Sequence, residues 1–388
     1  MVQELISSKR VAIVGAGPSG CICAKFLTDS GFDVSLFDKG KFLRTILPTG
    51  GGKCNLAHHE FDFKKLASNY PRGEKFLYSI FSRFSTSDTL QFFKSIGVET
   101  YCREDNRIFP VSNSSHDVRE KLLKSLKCEF IQEEVKKIEY AGNFYKLTSD
   151  KSSYAFDYVV ISIGGHAVFD LVENLGIKII EPVQALVGLI SEDNLSELAG
   201  VSLKNTILKV DNKKYNGDIL FTHKGISGPL IYKISSIYAR KNFPYQISLC
   251  FVSDIDLQDC LNKNSKKEIK NLLSDFVPKS LGVYILKSLN INPETLCHQI
   301  DGKNRNKILE QLTNFVININ GKTPEGEVVT CGGVDLNEIN SKTLESKKYN
   351  GLYFCGEVLD IDGFCGGFNL QNCWSTGYVV SESIKSVV

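Results

Sequence analysis

Val11-Ala-Ile-Val-Gly-Ala-Gly-Pro-Ser-Gly20 runs from an apolar, β-branched stretch into three closely spaced glycines. Residues 11–14 predict a strand buried on both faces. Gly15, Gly17 and Gly20 form G-x-G-x-x-G. The first makes a tight turn. The second removes a side chain where a diphosphate must approach the backbone. The third lets the following helix pack on the strand. That helix, expected over residues 17–29, aims its free N–H groups and positive dipole end at the phosphates, and Gly31 ends it. A second strand over 34–37 closes on Asp38, about 20 residues past the glycines, where a carboxylate accepts hydrogen bonds from ribose hydroxyls. Ala16, Pro18 and Ser19 inside the turn and Lys39 after the acid complete a candidate dinucleotide site.

Leu352-Tyr-Phe-Cys-Gly-Glu-Val-Leu-Asp-Ile-Asp-Gly-Phe-Cys-Gly-Gly-Phe-Asn369 repeats the same progression near the other end of the chain. Gly356 and Glu357 fall at the carboxyl end of a predicted strand, where open α/β sheets bind ligands. Glu357 can accept hydrogen bonds from ribityl hydroxyls, with Asp360 and Asp362 on the same loop. Gly366 and Gly367 let a flat ring approach the start of a helix carrying Asn369, Gln371, Trp374 and Tyr378. Its positive end would stabilise negative charge on that ring by about 1 kcal/mol. Two such turns predict one long cofactor gripped at both ends, with a diphosphate at one and a flavin at the other. That describes FAD rather than NAD.

Pro48-Thr-Gly-Gly-Gly-Lys-Cys-Asn-Leu56 is a third element. Successive glycines form anion-binding nests or lie flat against a ring. Gly51, Gly52, Lys53, Cys54 and Asn55 are therefore candidate cofactor contacts, with Lys53 donating to a phosphate or to the pyrimidine edge of a flavin. His58 and His59 read as exposed loop residues, so the flavin is expected to be non-covalent. Residues 158–163 form an apolar strand entering Gly164 and Gly165, placed to return under the nucleotide.

The chain has 388 residues, 42% hydrophobic and 23% charged, an ordinary globular composition. A net charge of +2 offers no electrostatic argument for nucleic acid or an anionic membrane. No nucleic-acid partner is expected. No apolar stretch reaches about 18 residues, so no membrane span is expected either. Residues 10–24 superficially resemble a secretion signal, but the nucleotide turn explains their glycines better, and a cytoplasmic location is expected. Twelve cysteines include no C-x-x-C pair. They read as reduced, mostly buried thiols.

Along the chain, helices are expected over 87–96, stopped by Gly97, and over 117–126, capped by Ser115. Residues 129–147 alternate like a hairpin. Near Pro182 the texture changes to short strands over 186–190, 206–210, 218–222 and 245–252, which suggests a small barrel. Residues 254–314 are helical in pattern, 315–318 return to strand, and 327–334 lead into the second glycine turn. The fold class is α/β. The expected domains are a discontinuous nucleotide-binding domain (1–184 and 322–388), a β-rich insertion (185–253 and 315–321) and a helical subdomain (254–314). There is no second G-x-G-x-x-G, so no dedicated nicotinamide domain is expected, and NAD(P)H would act as a transient reductant.

Four segments resemble the signatures of a known bacterial family. They are residues 49–56 (Thr-Gly-Gly-Gly-Lys-Cys-Asn-Leu), 221–229 (Phe-Thr-His-Lys-Gly-Ile-Ser-Gly-Pro), 329–334 (Val-Thr-Cys-Gly-Gly-Val) and 356–369. The family is the HI0933-like or BaiN-like group of FAD-dependent oxidoreductases. The resemblance runs through essentially the whole chain in order. It implies a glutathione-reductase-type FAD-binding Rossmann domain with an inserted β-barrel and a small helical subdomain. It also implies FAD contacts at Gly15, Gly17, Gly20, Asp38, the 51–55 loop, Gly356, Glu357, Gly366, Gly367, Phe368 and Asn369, with the backbone of Val135 offered to adenine. Lys53 stands where the family usually has Arg, Phe368 where Tyr is common, and Cys365 where Thr or Ser is common. The implied activity is hydride transfer between flavin and a small organic substrate. The alternatives are a flavoprotein acting on tRNA and a non-catalytic flavin- or nucleotide-binding regulator. Segment 221–229 reads as a tight turn, or as a substrate-side wall presenting Thr222 and His223. No residue is assigned as catalytic.

Overall fold

The first glycine turn is fed by Arg10–Val14 (β1), whose four residues after Arg10 are all buried. In the computed structural model, which describes residues 9–165, 169–324 and 329–387, β1 is the middle strand of a five-stranded parallel sheet. On one side it pairs with Asp33–Phe37 (β2), and β2 pairs with Glu129–Ile131 (β3). On the other it pairs with Tyr158–Ile161 (β4), and β4 pairs with Leu352–Phe354 (β5). A sheet covered on both faces explains why these strands are continuously apolar rather than alternating. Residues from the first and the last part of the chain thus share one hydrogen-bonded layer.

Two helices cross this layer. Pro18–Asp29 (α1) follows β1, and Phe368–Lys385 (α2) follows β5 and the second glycine turn. They pack closely. A Cβ on Gly377 of α2 would come within 2.4 Å of the Ser19 carbonyl oxygen and of the Ile22 side chain on α1. Trp374 of α2 is fully buried and donates through Nε1 to the Leu56 carbonyl at 3.0 Å.

Two local expectations are corrected. Within 129–147 the hairpin holds for residues 135–147, but residues 129–131 do not belong to it. β3 joins the main sheet in parallel, while Val135–Tyr140 and Tyr145–Ser149 pair with each other and with Ser153–Phe156. The cap of the helix Ser115–Ser125 is Ser114, which accepts from the Asp117 N–H, and not Ser115, whose hydroxyl donates to the Leu47 carbonyl. Strand 327–334 is seen as Val329–Val334; residues 327 and 328 lie outside the described ones.

The chain separates into two compact units, Met1–Val183 with Val329–Val388, and Gln184–Val328. The second unit contains a closed six-stranded barrel. Its strands run in the order Leu189–Ser191, Gly225–Ser227, Lys213–Thr222, Ser202–Val210, Tyr245–Cys250 and Phe315–Lys322. Alternate residues such as Leu208, Ile219, Phe221, Ile247, Leu249, Ile317 and Ile319 are buried inside, as the period of two demands. The helices Leu257–Lys263, Ile269–Leu273, Lys279–Ser288 and Gly302–Thr313 bury Leu261, Leu273, Ile285 and Ile308 in that same core. The architecture is α/β: a Rossmann-type domain with an inserted β-barrel and a small helical subdomain.

Candidate functional site

The amino-terminal turn is assembled by its own glycines. Gly15 has φ +107°, and a Cβ there would lie 2.3 Å from the Ser162 carbonyl oxygen at the end of β4. Gly20 would place a Cβ 2.1 Å from the Gly15 carbonyl oxygen. Both are needed for close packing. Gly17 differs: its Cβ direction meets only Thr45 Oγ1, at 3.8 Å. Gly17 is also the N-cap of α1, no side chain caps that helix, and Pro18 follows. The first turn of α1 therefore has no side-chain cap at its positive end, which suits a diphosphate. Ala16 and Ser19 are buried beside it.

Asp38 follows β2. Its Oδ2 accepts from the Ala16 N–H at 2.9 Å and its Oδ1 from the Gly40 N–H at 2.7 Å. The carboxylate is thus fixed against the glycine turn, and each oxygen retains a second lone pair for a ribose hydroxyl. Lys39 beside it is exposed and pairs loosely with Glu134 at 3.5 Å. Val135 opens its strand, buried, and the ladder with the neighbouring strand shifts register after it.

The carboxy-terminal turn lies against the first. Gly356, at φ +80°, would drive a Cβ to 2.3 Å from Ser19 Oγ. Ser19 donates to the Cys355 carbonyl at 3.3 Å, and the Gly356 N–H donates to Thr376 Oγ1 at 2.9 Å. Glu357 Oε1 accepts from the Thr330 N–H at 3.2 Å. Gly165 sits where a Cβ would meet Thr330 Cβ at 2.7 Å and Glu357 Cγ at 3.2 Å, while Gly164 opens onto free space. The structure therefore brings the ends of β1, β4 and β5 together.

The rest of that loop is stitched to the third element. Thr49–Gly52 is a turn in which Gly50, Gly51 and Gly52 all have left-handed φ, as does Cys54. Gly51, Gly52 and Lys53 are exposed, whereas Cys54 and Asn55 are buried. With its amide oriented to satisfy both ends, Asn55 accepts from the Gly367 N–H and donates to the Ala57 carbonyl, each at 3.0 Å. His58 stacks on Phe368 with ring centroids 4.5 Å apart, and its Nδ1 donates to the Gly366 carbonyl at 3.1 Å. Tyr70 donates to the Phe368 carbonyl at 2.5 Å. Asn369 folds back on Gly363, accepting and donating at 2.8 Å. Gly367 is the N-cap of α2, its own N–H is taken by Asn55, and no side chain caps the first turn that follows.

Several candidates turn out to brace the site. Asp362 is fully buried and held by the Arg72 guanidinium through two hydrogen bonds. Phe368 is buried under His58. Cys54 is buried, and desolvation pushes its thiol up to about 12, so it is no ready nucleophile. His223 lies in the two-residue turn between two barrel strands and is exposed. All twelve cysteines are free, and most are buried. The sequence reading missed Tyr70 and Arg72 and took His58 for an exposed loop residue. Their partners lie some 290 to 308 positions away, and no local pattern signals such contacts.

Among the described residues no His, Cys, Asp and Glu cluster is arranged to hold a metal ion, and no helix is long and apolar enough to cross a membrane. The sparse surroundings of Gly17, two helix starts without side-chain caps and a fixed Asp38 fit an adenine dinucleotide carrying a second ring system.

The HI0933-like protein Rossmann domain matches residues 9–383. The ribosomal RNA dihydrouridine synthases of Escherichia coli K12 and Haemophilus influenzae are 28% and 29% identical, covering 96% of this chain and 97% and 98% of theirs. The 3-dehydro-bile acid delta(4,6)-reductase of Clostridium scindens is 26% identical over 96% of this chain and 98% of its own. Among solved structures, a 3-ketosteroid delta1-dehydrogenase from Sterolibacterium denitrificans has the same fold, with a TM-score of 0.53 at 11% identity, covering 98% of this chain and all of that one. Matched over nearly its whole length, the chain belongs to the HI0933-like family of FAD-dependent oxidoreductases.

Proposed function

We propose that this protein is a flavin-dependent reductase that saturates the ring double bond of a uridine in ribosomal RNA. The observation that carries this reading is the pair of relatives, colinear with nearly the whole chain, named for making dihydrouridine in that RNA. The bile-acid reductase name describes a different molecule but a related bond, a C=C conjugated to a carbonyl. In this reading, hydride adds to the uridine at the carbon β to its carbonyl and a proton follows at the α carbon. That shared chemistry is what a common fold and site can retain while the substrate changes.

Bound FAD would supply hydride transfer, accepting from transiently docked NAD(P)H and delivering to the substrate. In this reading, Gly15, Ala16, Gly17, Pro18, Ser19 and Gly20 form the diphosphate cradle at the start of α1. Asp38 accepts ribose hydroxyls, with Lys39 beside it, and the Val135 backbone receives adenine. Glu357, Gly356, Gly164 and Gly165 bound the ribityl chain. The open start of α2 and Lys53 favour negative charge on the pyrimidine edge. Gly51, Gly52, Cys54, Asn55, Gly366, Gly367, Phe368 and Asn369 form the wall. Asp362 acts on that wall through Arg72. A cytoplasmic location accompanies a ribosomal substrate.

The net charge of +2 gave no reason to expect a nucleic-acid partner, whereas this reading places RNA as the substrate. A small enone is the second reading, favoured by the bile-acid relative. The test is anaerobic incubation with NADPH or NADH and either deproteinised ribosomal RNA or a steroid dienone. Nuclease digestion and mass spectrometry then read dihydrouridine. Its appearance supports the first reading. Steroid reduction with no dihydrouridine formed would sink it in favour of the second.

A further inference from the structure

We infer that the outer face of the barrel is a docking surface for the phosphate backbone of RNA, centred on Lys209 and Lys214. The inference rests on the ribosomal RNA reading and adds the surface that would hold the partner. Lys209 and Lys214 are directly opposite each other on the antiparallel strands Ser202–Val210 and Lys213–Thr222. Like charges in that position destabilise a strand pair. Among the described residues neither lysine has an ion-pair partner, and the nearby Asp211 carboxylate is taken by Lys241 at 2.5 Å. A cost left without a counter-ion in the chain is offset when an external anion binds.

The row continues across the sheet. Lys209 is opposite Ser248, and Ser248 is opposite Val316. Their sequence neighbours Leu208, Val210, Ile247, Leu249 and Ile317 are buried inside the barrel, so the row faces outward. With Asn212 and Gln246 it lines a depression of about 460 Å³. The depression is open and its rim, which also carries Asp211, is exposed, so it suits a strand lying across it rather than an enclosed small ligand. Gln246 donates to Asn318 at 2.9 Å, extending the amide-rich surface beside the lysines. Exposed Lys204, Lys213 and Lys224 lie elsewhere on the same strands and turns. From residue 202 to 250 the chain carries eight Lys and Arg against two Asp and no Glu. The near-neutral total conceals this local excess. Paired ammonium groups on a rigid sheet bind phosphodiester oxygens, while amides reach ribose and base edges.

The experiment measures binding of deproteinised ribosomal RNA to the flavin-loaded protein at several KCl concentrations. The variants are Lys209→Gln/Lys214→Gln and, as a control, Lys303→Gln/Lys307→Gln on the exposed face of the helix Gly302–Thr313. The barrel variant should bind about tenfold more weakly near 0.1 M salt, with a log–log salt slope lower by about 1.5 to 2. Its flavin absorbance and melting temperature should stay those of the wild type, and the control should bind normally. Equal affinity and slope in wild type and barrel variant, or an equal loss in the control, would overturn the inference. Ribosomal RNA reduced and bound identically by both proteins would sink the docking surface alone. No binding or reduction by the wild type would sink the substrate reading with it.

Discussion

In the amino-terminal turn, a Cβ on Gly17 would clash with nothing, its one neighbour within 4 Å being Thr45 Oγ1 at an ordinary 3.8 Å. In the carboxy-terminal turn, Gly363, Gly366 and Gly367 would each push a Cβ into protein atoms, at 2.8, 3.1 and 2.5 Å. The two turns look alike as sequence, but their glycines do different work. In the first, Gly15 and Gly20 serve packing and Gly17 keeps a place for a ligand. In the second, the glycines are consumed in closing the loop on Ala57, Tyr70 and Phe368. Ligand contacts there must come from backbone N–H groups and from Glu357. A glycine motif therefore marks a binding site only where the glycine's missing side chain faces something other than protein.

The largest expected effect tests how the second turn is held. Arg72→Met would leave the Asp362 carboxylate buried without its bidentate partner, at a cost of about 3–5 kcal/mol. Urea unfolding measures it, and Arg72→Met/Asp362→Leu should recover much of the loss. Next is Gly367→Ala, with φ +97° and the Ala57 backbone 2.5 Å away. Strain and overpacking together predict a loss of about 2–4 kcal/mol. A variant as stable as wild type would break the contrast between the turns. Gly17→Ala should go the other way, gaining about 0.4–1 kcal/mol, because its φ of −79° suits any residue and the unfolded chain loses freedom. Destabilisation there would show that Gly17, too, serves packing.

The smallest effect is expected away from both turns. The Lys178 ammonium, 2.8 Å from Asp335, holds that carboxyl below its ordinary range. A depressed folded-state pKa means the pair stabilises at neutral pH and that this contribution fades as pH falls below about 4. Lys178 is largely exposed, so solvent screening keeps the pair's contribution small. The stability gap between wild type and Lys178→Met should close on acidification.

Much of this is legible in the sequence, and the reason is locality. β1, α1, β2 and Asp38 are written in one stretch of chain, and the second turn repeats the grammar. Barrel strands announced themselves by the change to short strands near Pro182. β3 was misread because a parallel partner about ninety residues away leaves no trace in local periodicity. Asp362 looked like a ligand contact because its partner Arg72 is 290 positions distant. The barrel's basic face was hidden by averaging charge over the whole chain. What stayed illegible is what depends on contacts between segments remote in sequence.

The most direct test of the central claim is the flavin content of Gly17→Val after desalting, read from visible absorbance beside its melting temperature. A folded protein stripped of flavin is expected, because the branched side chain takes the diphosphate's place while its Cβ meets only Thr45 Oγ1, at an ordinary contact distance of 3.8 Å. A folded Gly17→Val carrying as much flavin as the wild type would contradict it.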